Sequence, residues 1–315
     1  MKKAFTMFLC LFLLSALLIS AACSSEPVAT PAPAAAPAKY PLSVVDMLGR
    51  SVQISQCPTR IVTTAPTATE TLYRVGGTAV GVDSSSKYPD DVQGLSKVGS
   101  AYNISTEAIA ALNPDLVIVE ALNQANIISA LENLGVPIIA VRAASVDDIN
   151  QSLALVGEVV DMEDEAAQAI AEIQDRIEAA QGNVTVSKNV LIFISDAQRN
   201  IYAAKPESYP GAVAALLGLG NPATGLPDNF TIAGFTLFTA EQALTSNADI
   251  VFTITPAPAP RLSASLPQIP GFNQMAAVKA GKVVELDPAL FLQAQGPRIA
   301  DAVEEMLRLI NEGTS

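Results

Sequence analysis

Two apolar rhythms alternate along this chain: short runs of β-branched residues, and longer stretches with apolar positions at helical spacing. Leu42-Ser43-Val44-Val45 and Ser51-Val52-Gln53-Ile54 flank Met47-Leu48-Gly49-Arg50, a pattern that predicts a hairpin with Gly49 in its turn. The segment 58–77, PTRIVTTAPTATETLYRVGG, then condenses a whole supersecondary unit. Arg60 to Thr64 predicts a buried strand, and Ala65-Pro66-Thr67 breaks it. Thr67 or Thr69 is expected to cap the helix that follows, with Glu70 in its first turn, where a carboxylate suits the helix dipole. Leu72, Tyr73 and Val75 supply an apolar face, and Gly76-Gly77 ends the helix.

The alternation continues through strands at 79–82, 97–100, 116–119 and 137–141, with helices at 106–112 and near 124–134. A helix from Asp147 to about Val160 follows. Residues 163–180 then carry Ala166, Ala169, Ile170, Ile173 and Ile177 at helical spacing, with no Gly or Pro until Gly182, which predicts one long helix. Beyond it the alternation resumes: strands at 190–194, 249–254 and 283–286, and helices at 209–217, 239–245 and 298–310. The expected fold is α/β, with two similar lobes of mainly parallel sheet joined by one long helix. The predicted boundaries are 40–162 for the first lobe, 163–182 for the joining helix and 183–315 for the second lobe. A repeat supports the pairing of lobes. Ser105-Thr106-Glu107 precedes Asn113-Pro114-Asp115-Leu116-Val117 at the spacing with which Thr239-Ala240-Glu241 precedes Asn247-Ala248-Asp249-Ile250-Val251. The hydroxyls read as helix N-caps, and the Glu and Asp as capping and surface residues rather than catalytic ones.

Composition narrows the function. Half of the 315 residues are hydrophobic and there is no Trp, which suits buried strands under packed helices. Lys2-Lys3, the apolar run from Phe5 to Ile19 and the small residues before Cys23 resemble a bacterial lipoprotein signal, with cleavage after residue 22 and lipid on Cys23. Removing residues 1–22 takes two lysines and moves the formal net charge from −13 to −15. Residues 23–39, rich in Pro and Ala, then read as an extended tether between the membrane and the folded part. With Cys10 in the signal and Cys23 lipidated, Cys57 is alone and no intramolecular disulfide is expected. The chain has no histidine, which excludes Ser-His-Asp and Cys-His catalysis and His-ligated zinc or haem. No phosphate-loop or dinucleotide motif is present, and the acidic balance argues against nucleic acid. A binding protein is favoured over an enzyme, and no cofactor is expected.

Open α/β sheets take ligands beyond the carboxyl ends of their strands, and two such lobes frame a cleft. The loops expected to line it hold Thr67, Ser86, Tyr88, Tyr102, Asn103, Glu120 and Arg142 in the first lobe. In the second they hold Ser195-Asp196, Arg199, Asn229-Phe230, Thr255 and Phe291. Aromatic faces, hydroxyls, amides and two arginines suit the grip of a polar organic ligand, with neither clustered metal ligands nor a nucleophile–base pair for chemistry upon it.

Asp46-Met47-Leu48-Gly49-Arg50, Arg60-Ile61-Val62, Thr69-Glu70, Gly81-Val82, Tyr88-Pro89, Val98-Gly99, Asn113 to Ile118, Gly218 to Asn221 and Pro297-Arg298, in that order, resemble the Fe³⁺-siderophore/vitamin B12 class of periplasmic binding proteins. That resemblance implies the helical-backbone architecture, little hinge motion and a monomer that delivers its ligand to the permease of an ABC importer. Gly81 to Pro89 looks most like the vitamin B12-binding members, whose ligand-facing Tyr matches Tyr88, while Phe291 matches an aromatic after the last strand. A corrinoid is therefore preferred over a ferric siderophore, which would want more arginines than Arg142 and Arg199. The resemblance further implies one glutamate per lobe docking on the permease. Glu70 matches the first. The second position holds Ala215, and Glu207 nearby is the substitute. A cofactor-processing enzyme on the same scaffold and a receptor for bare zinc or manganese are the alternatives, both disfavoured by the absent histidines.

Overall fold

The computed structural model describes residues 39–185, 187–229, 232–256, 260–293 and 295–312, so Cys23 and Phe230 lie outside the described residues. From Tyr40 onward the chain forms one compact unit built on two five-stranded sheets. It opens with the antiparallel hairpin of β1 (Leu42–Val45) and β2 (Ser51–Ile54), with Gly49 at φ 76° in the turn, a conformation only glycine adopts without strain. Asp46 closes that turn by accepting from the Leu48 and Arg50 N–H groups and pairing with the Arg50 guanidinium.

The first sheet contains β3 (Ile61–Thr63), β4 (Ala79–Val82), β5 (Ser96–Lys97), β8 (Leu116–Glu120) and β9 (Ile138–Val141) in the order β5-β4-β3-β8-β9, every pairing parallel. A small hairpin of β6 (Gly99–Ser100) and β7 (Asn103–Ile104) stands beside it. The expected single strand at 97–100 is thus divided between two sheets. Strands β8 and β9 are buried throughout, as a sheet covered on both faces requires. Their alternate side chains separate cleanly: Leu116 and Ile118 join Leu72 of α1 (Pro66–Arg74) and Leu153 of α4 (Val146–Val160). Val117 and Val119 join Ile109 of α2 (Thr106–Ala111) and Leu131 of α3 (Ile128–Glu132) on the other face.

The long helix is α5 (Glu163–Gly182), which buries Ala166, Ala169, Ile173, Ile177 and Ala180 on one face. It packs against α4 on one side and the closing helix α11 (Ile299–Glu312) on the other. Arg176 clamps it to α11 by reaching Asp301 at 2.6 Å and Glu304 at 2.8 Å. One apolar core consequently runs from the first sheet through α4, α5 and α11 to the second.

The second sheet departs from the expected pattern. It contains β10 (Val190–Ser195), β11 (Ile201–Ala204), β12 (Phe235–Leu237), β13 (Ile250–Ile254) and β14 (Val283–Leu286) in the order β12-β11-β10-β13-β14. Strands β13 and β14 run parallel to β10, as expected, whereas β11 pairs antiparallel with both β10 and β12. The turn that reverses the chain is made by Asp196, whose carboxylate accepts from the Gln198 and Asn200 N–H groups at 2.9 and 2.8 Å. Its remaining helices are α6 (Tyr209–Leu216), α7 (Ala240–Thr245), α8 (Leu262–Ser265), α9 (Ala276–Lys279) and α10 (Pro288–Phe291).

The sequence repeat has a structural counterpart. Ser105 and Thr239 both cap their helices, each accepting from the N–H three residues on. Asp115 accepts from the Thr59 and Arg60 N–H groups at 2.8 Å, fastening the start of β3 to that of β8. Asp249 accepts from the Asn189 N–H at 2.8 Å and fastens β10 to β13 in the same way.

Candidate functional site

Large apolar side chains left in water gather where the strands of the first sheet end. Tyr88, beyond the carboxyl end of β4, is 50 % exposed; Tyr102, in the β6–β7 turn, is 89 % exposed; Leu122, just past β8, is 50 % exposed. Leu237, 48 % exposed, ends β12 at the corresponding rim of the second sheet. Val45, Leu48 and Leu244 are exposed elsewhere, so what singles out this set is its common place beyond the strand ends, where open α/β sheets take ligands. The loops that carry them are firmly built. Glu120 accepts from the Leu122 and Asn123 N–H groups at 2.8 and 2.7 Å, so its carboxylate shapes the loop instead of facing the cleft. Gln124, buried, bonds Thr64 and the Ala101 carbonyl, tying three first-lobe loops together.

The second lobe contributes an open pocket of about 440 Å³ beyond the ends of β13 and β14. Thr255, Arg261, Glu285, Asp287, Pro288 and Glu305 line it. Against the upward push of partial burial, hydrogen bonds from Thr255, Thr253 and Ser263 hold the Glu285 carboxyl below its usual range. A smaller cavity of about 90 Å³, lined by Lys188, Leu219 and Leu307 among others, lies at the opposite end of that sheet and takes no part in this rim.

A polar joint connects the two rims. The chain leaving α10 passes to the first lobe, where the Thr67 hydroxyl donates to the Gln295 carbonyl at 2.8 Å. Arg298 grips Glu70 through two hydrogen bonds of 2.9 and 2.7 Å and also reaches the Ala289 carbonyl. Its guanidinium carbon lies 4.6 Å from the centre of the Tyr88 ring, within cation–π range. Burial pushes the Glu70 carboxyl above its ordinary value, and Arg298 pulls it back only in part. Tyr209, fully buried beside this pair, is pushed up chiefly by the same desolvation.

Several expectations change at this point. Glu70 is 4 % exposed and bound to Arg298, so it is not the solvent-facing docking carboxylate that its helix position suggested. The cause is that Arg298, just before the last helix, reaches α1 and brings a cation to it. Thr67 and Thr69 do not cap α1: Ala65 occupies that position with Pro66 as the first helical residue. Ser86 is buried in a hydroxyl chain with Thr69 and Asp83 instead of lining the cleft, with Thr69 and Ser86 2.8 Å apart. Phe291 is wholly buried in the core. Arg142 pairs with Asp148 at 3.1 Å, and Arg199 stands exposed at the β10–β11 turn with φ 67°. Asn103 is exposed beside Tyr102, and Glu207 is exposed 3.8 Å from Lys205. Thus Tyr88, Tyr102 and Asn103 share the first rim, Arg199 stands beyond the carboxyl end of β10 at the second rim, and Glu207 follows β11 at the opposite end of that sheet. Arg298, Leu122 and Leu237 were missed. Leu122 carried a usable signal, an apolar residue directly after a buried strand.

A family model described as periplasmic binding protein matches residues 61–290. Among similar proteins is an ABC transporter substrate-binding lipoprotein, YvrC, of Bacillus subtilis, 26 % identical over 286 residues that cover 87 % of each chain. A vitamin B12-binding protein of Vibrio parahaemolyticus is 26 % identical over 197 residues, covering 62 % of this chain and 70 % of that one. The petrobactin-binding protein YclQ of Bacillus subtilis, a solved structure, superposes with a TM-score of 0.74 at 20 % identity, covering 86 % of this chain and 98 % of that one. At that identity the likeness speaks for the fold.

Proposed function

The chain belongs to the periplasmic binding protein family, and from that premise we propose that it captures a corrinoid between its two rims and hands it to the permease of an ABC importer. It is a binding protein of an import system rather than an enzyme. The observation that carries the ligand reading is the exposed set Tyr88, Tyr102 and Leu122 at the carboxyl ends of one sheet, together with a pocket of about 440 Å³ beyond the ends of two strands of the other. A corrinoid has a broad, largely apolar macrocycle edged by amides. The aromatic rim would cover its face, and Thr255, Glu285 and Asp287 would accept from the amide N–H groups. A ferric siderophore or another iron complex is the second reading. It is weaker because Arg142 is already paired with Asp148 and the pocket is predominantly acidic.

Attachment through a lipid on Cys23, with the Pro/Ala tether spanning the distance to the folded unit, completes the proposal. Glu207 is the exposed carboxylate left for permease docking. The first experiment is purification from the native host followed by a visible absorption spectrum, since corrinoid, haem and ferric catecholate absorb differently. The second is melting with added cyanocobalamin. A ligand present at 100 times its Kd stabilises by about 2.7 kcal/mol. Absence of a shift with cyanocobalamin, together with a shift on adding a ferric siderophore, would replace the corrinoid reading by the iron one.

A further inference from the structure

Arg298 belongs to the second lobe in sequence and reaches the Ala289 carbonyl there, yet the carboxylate and the ring that its guanidinium meets belong to the first lobe. Glu70 of α1 takes two of its N–H donors, and its guanidinium carbon lies over the Tyr88 ring, 4.6 Å from the ring centre. Glu70 itself does not face the rim: its side chain is 3 % exposed, against 17 % for Arg298. Tyr88 is half-exposed, with one part of its ring against Arg298 and the rest open to the cleft. The loop from Asp83 to Pro89 is fixed at its near end by the Asp83, Ser86 and Thr69 side chains. Among the described residues, the stack on Arg298 is the specific side-chain interaction that Tyr88 makes. A ring on a loop with one specific contact takes its posture from that contact. A guanidinium clamped by a bidentate carboxylate is a rigid platform, because both groups are planar and the pair fixes their common plane.

We propose that Arg298 is a positioning residue for capture: clamped by Glu70, it sets the Tyr88 ring at the mouth of the cleft, so the second lobe dictates the aromatic face that the first lobe offers the ligand. This deepens the binding reading given above and rests on it for the ligand, but the posture of the ring can be tested without any ligand. Glu70 then influences capture although it touches nothing at the rim. A planar ligand face gains from a ring already held in place, since ordering the ring is not charged to binding.

The absence of Trp makes the test direct. Tyr88→Trp introduces a single indole whose acrylamide quenching reports its cover. In that background, Arg298→Met and, separately, Glu70→Gln should each raise the quenching constant about twofold, with far-UV circular dichroism unchanged. Glu70→Gln is the decisive variant because Glu70 bonds Arg298 and leaves the ring of Tyr88 to it. An unchanged constant in a folded Glu70→Gln protein overturns the proposal. Should either single variant fail to fold, Glu70→Gln combined with Arg298→Met leaves no lone buried charge, and an indole still protected there overturns it equally. With Tyr88 retained, Arg298→Lys should weaken cyanocobalamin binding by roughly three- to tenfold, the loss expected for a stacked cation and its planar fork. If cyanocobalamin does not bind the unaltered protein, the corrinoid reading fails, while the quenching result still decides the positioning role.

Discussion

Replacing Arg298 by Leu removes one partner of an ion pair that neither side can replace with water. The carboxylate of Glu70 is almost entirely buried, and both of its oxygens accept from Arg298 alone among the described residues. Left charged without its partner, such a group costs about 3–5 kcal/mol, far more than the roughly 0–1 kcal/mol of an exposed pair. For a compact unit of roughly 270 residues, the unfolding entropy near the melting temperature is on the order of 0.57 kcal/mol per degree. The expected fall in Tm is therefore about 5–9 °C. Exchanging both members, Glu70→Gln with Arg298→Leu, removes the stranded charge and should recover most of that loss. Scanning calorimetry on the four members of the cycle isolates the coupling between the two residues. A single variant that melts within about 2 °C of the unaltered protein would refute the reasoning, because the pair would then behave as if it stood in water.

Other outcomes follow from the same geometry. Burial holds the Glu70 carboxyl above its ordinary value, so its contribution to stability is fully present below the usual carboxylate range and is lost as pH rises through the raised value. Urea midpoints between pH 4 and pH 7 should show that slope in the unaltered protein and lose it in the doubly exchanged variant. Asp115→Ala frees the Thr59 and Arg60 N–H groups at the start of β3 and should cost about 1–2 kcal/mol by urea unfolding, with Asp249→Ala, which frees fewer donors, costing less. Gly211→Ala places a Cβ into the Lys205 carbonyl oxygen, a backbone atom that cannot step aside, and should cost more than about 2 kcal/mol. A neutral Gly211→Ala would mean that the entry to α6 is looser than its packing implies.

The strands most readily anticipated were those buried on both faces. Leu116 to Val119 and Pro137 to Val141 are unbroken apolar runs, and a strand covered by helices on each side needs nothing else. Strands β11 and β12 do not stand out in the sequence, because each is only three or four residues long; β11 is turned onto β10 by Asp196, and β12 joins it from a distant part of the chain. The polar cluster Asp196-Ala197-Gln198-Arg199-Asn200 between two apolar runs is the legible sign of that turn. The repeated Asp before β8 and β13 could be found by spacing alone, and its latch role is the same in both lobes. The rim tyrosines were also accessible, since they follow strands whose ends could be placed. Glu70 was not. A charged residue on a short helix is placed in solvent by default, and the cation that overturns this default lies 228 residues further along the chain. The same distance hid Arg298 as a site residue. Ser86 and Phe291 were placed in the cleft by the loops that carry them. Neighbours from other elements, Thr69 for the one and the central core for the other, draw them inward.

The joint between the lobes also bears on how capture proceeds. A hinge that swung the rims apart would have to break Glu70 from Arg298 and Thr67 from Gln295, and would open an apolar core that is continuous through α4, α5 and α11. Opening would let water reach both members of the ion pair, so the cost of the open state comes chiefly from that core, at about 25 cal/mol for each Å² of apolar surface uncovered. A ligand that required the open state would see its affinity reduced by the fraction of molecules in it. Capture by the docked form avoids this loss, and the exposed Tyr102 and Leu122 show that the first rim is reachable without it. The expected result is that small-angle scattering curves of the protein with and without bound ligand superimpose, with local change confined to the rim loops. A fall in the radius of gyration of more than about 1 Å on saturation would show that the lobes swing closed, and the joint would then have to be made on binding instead of before it.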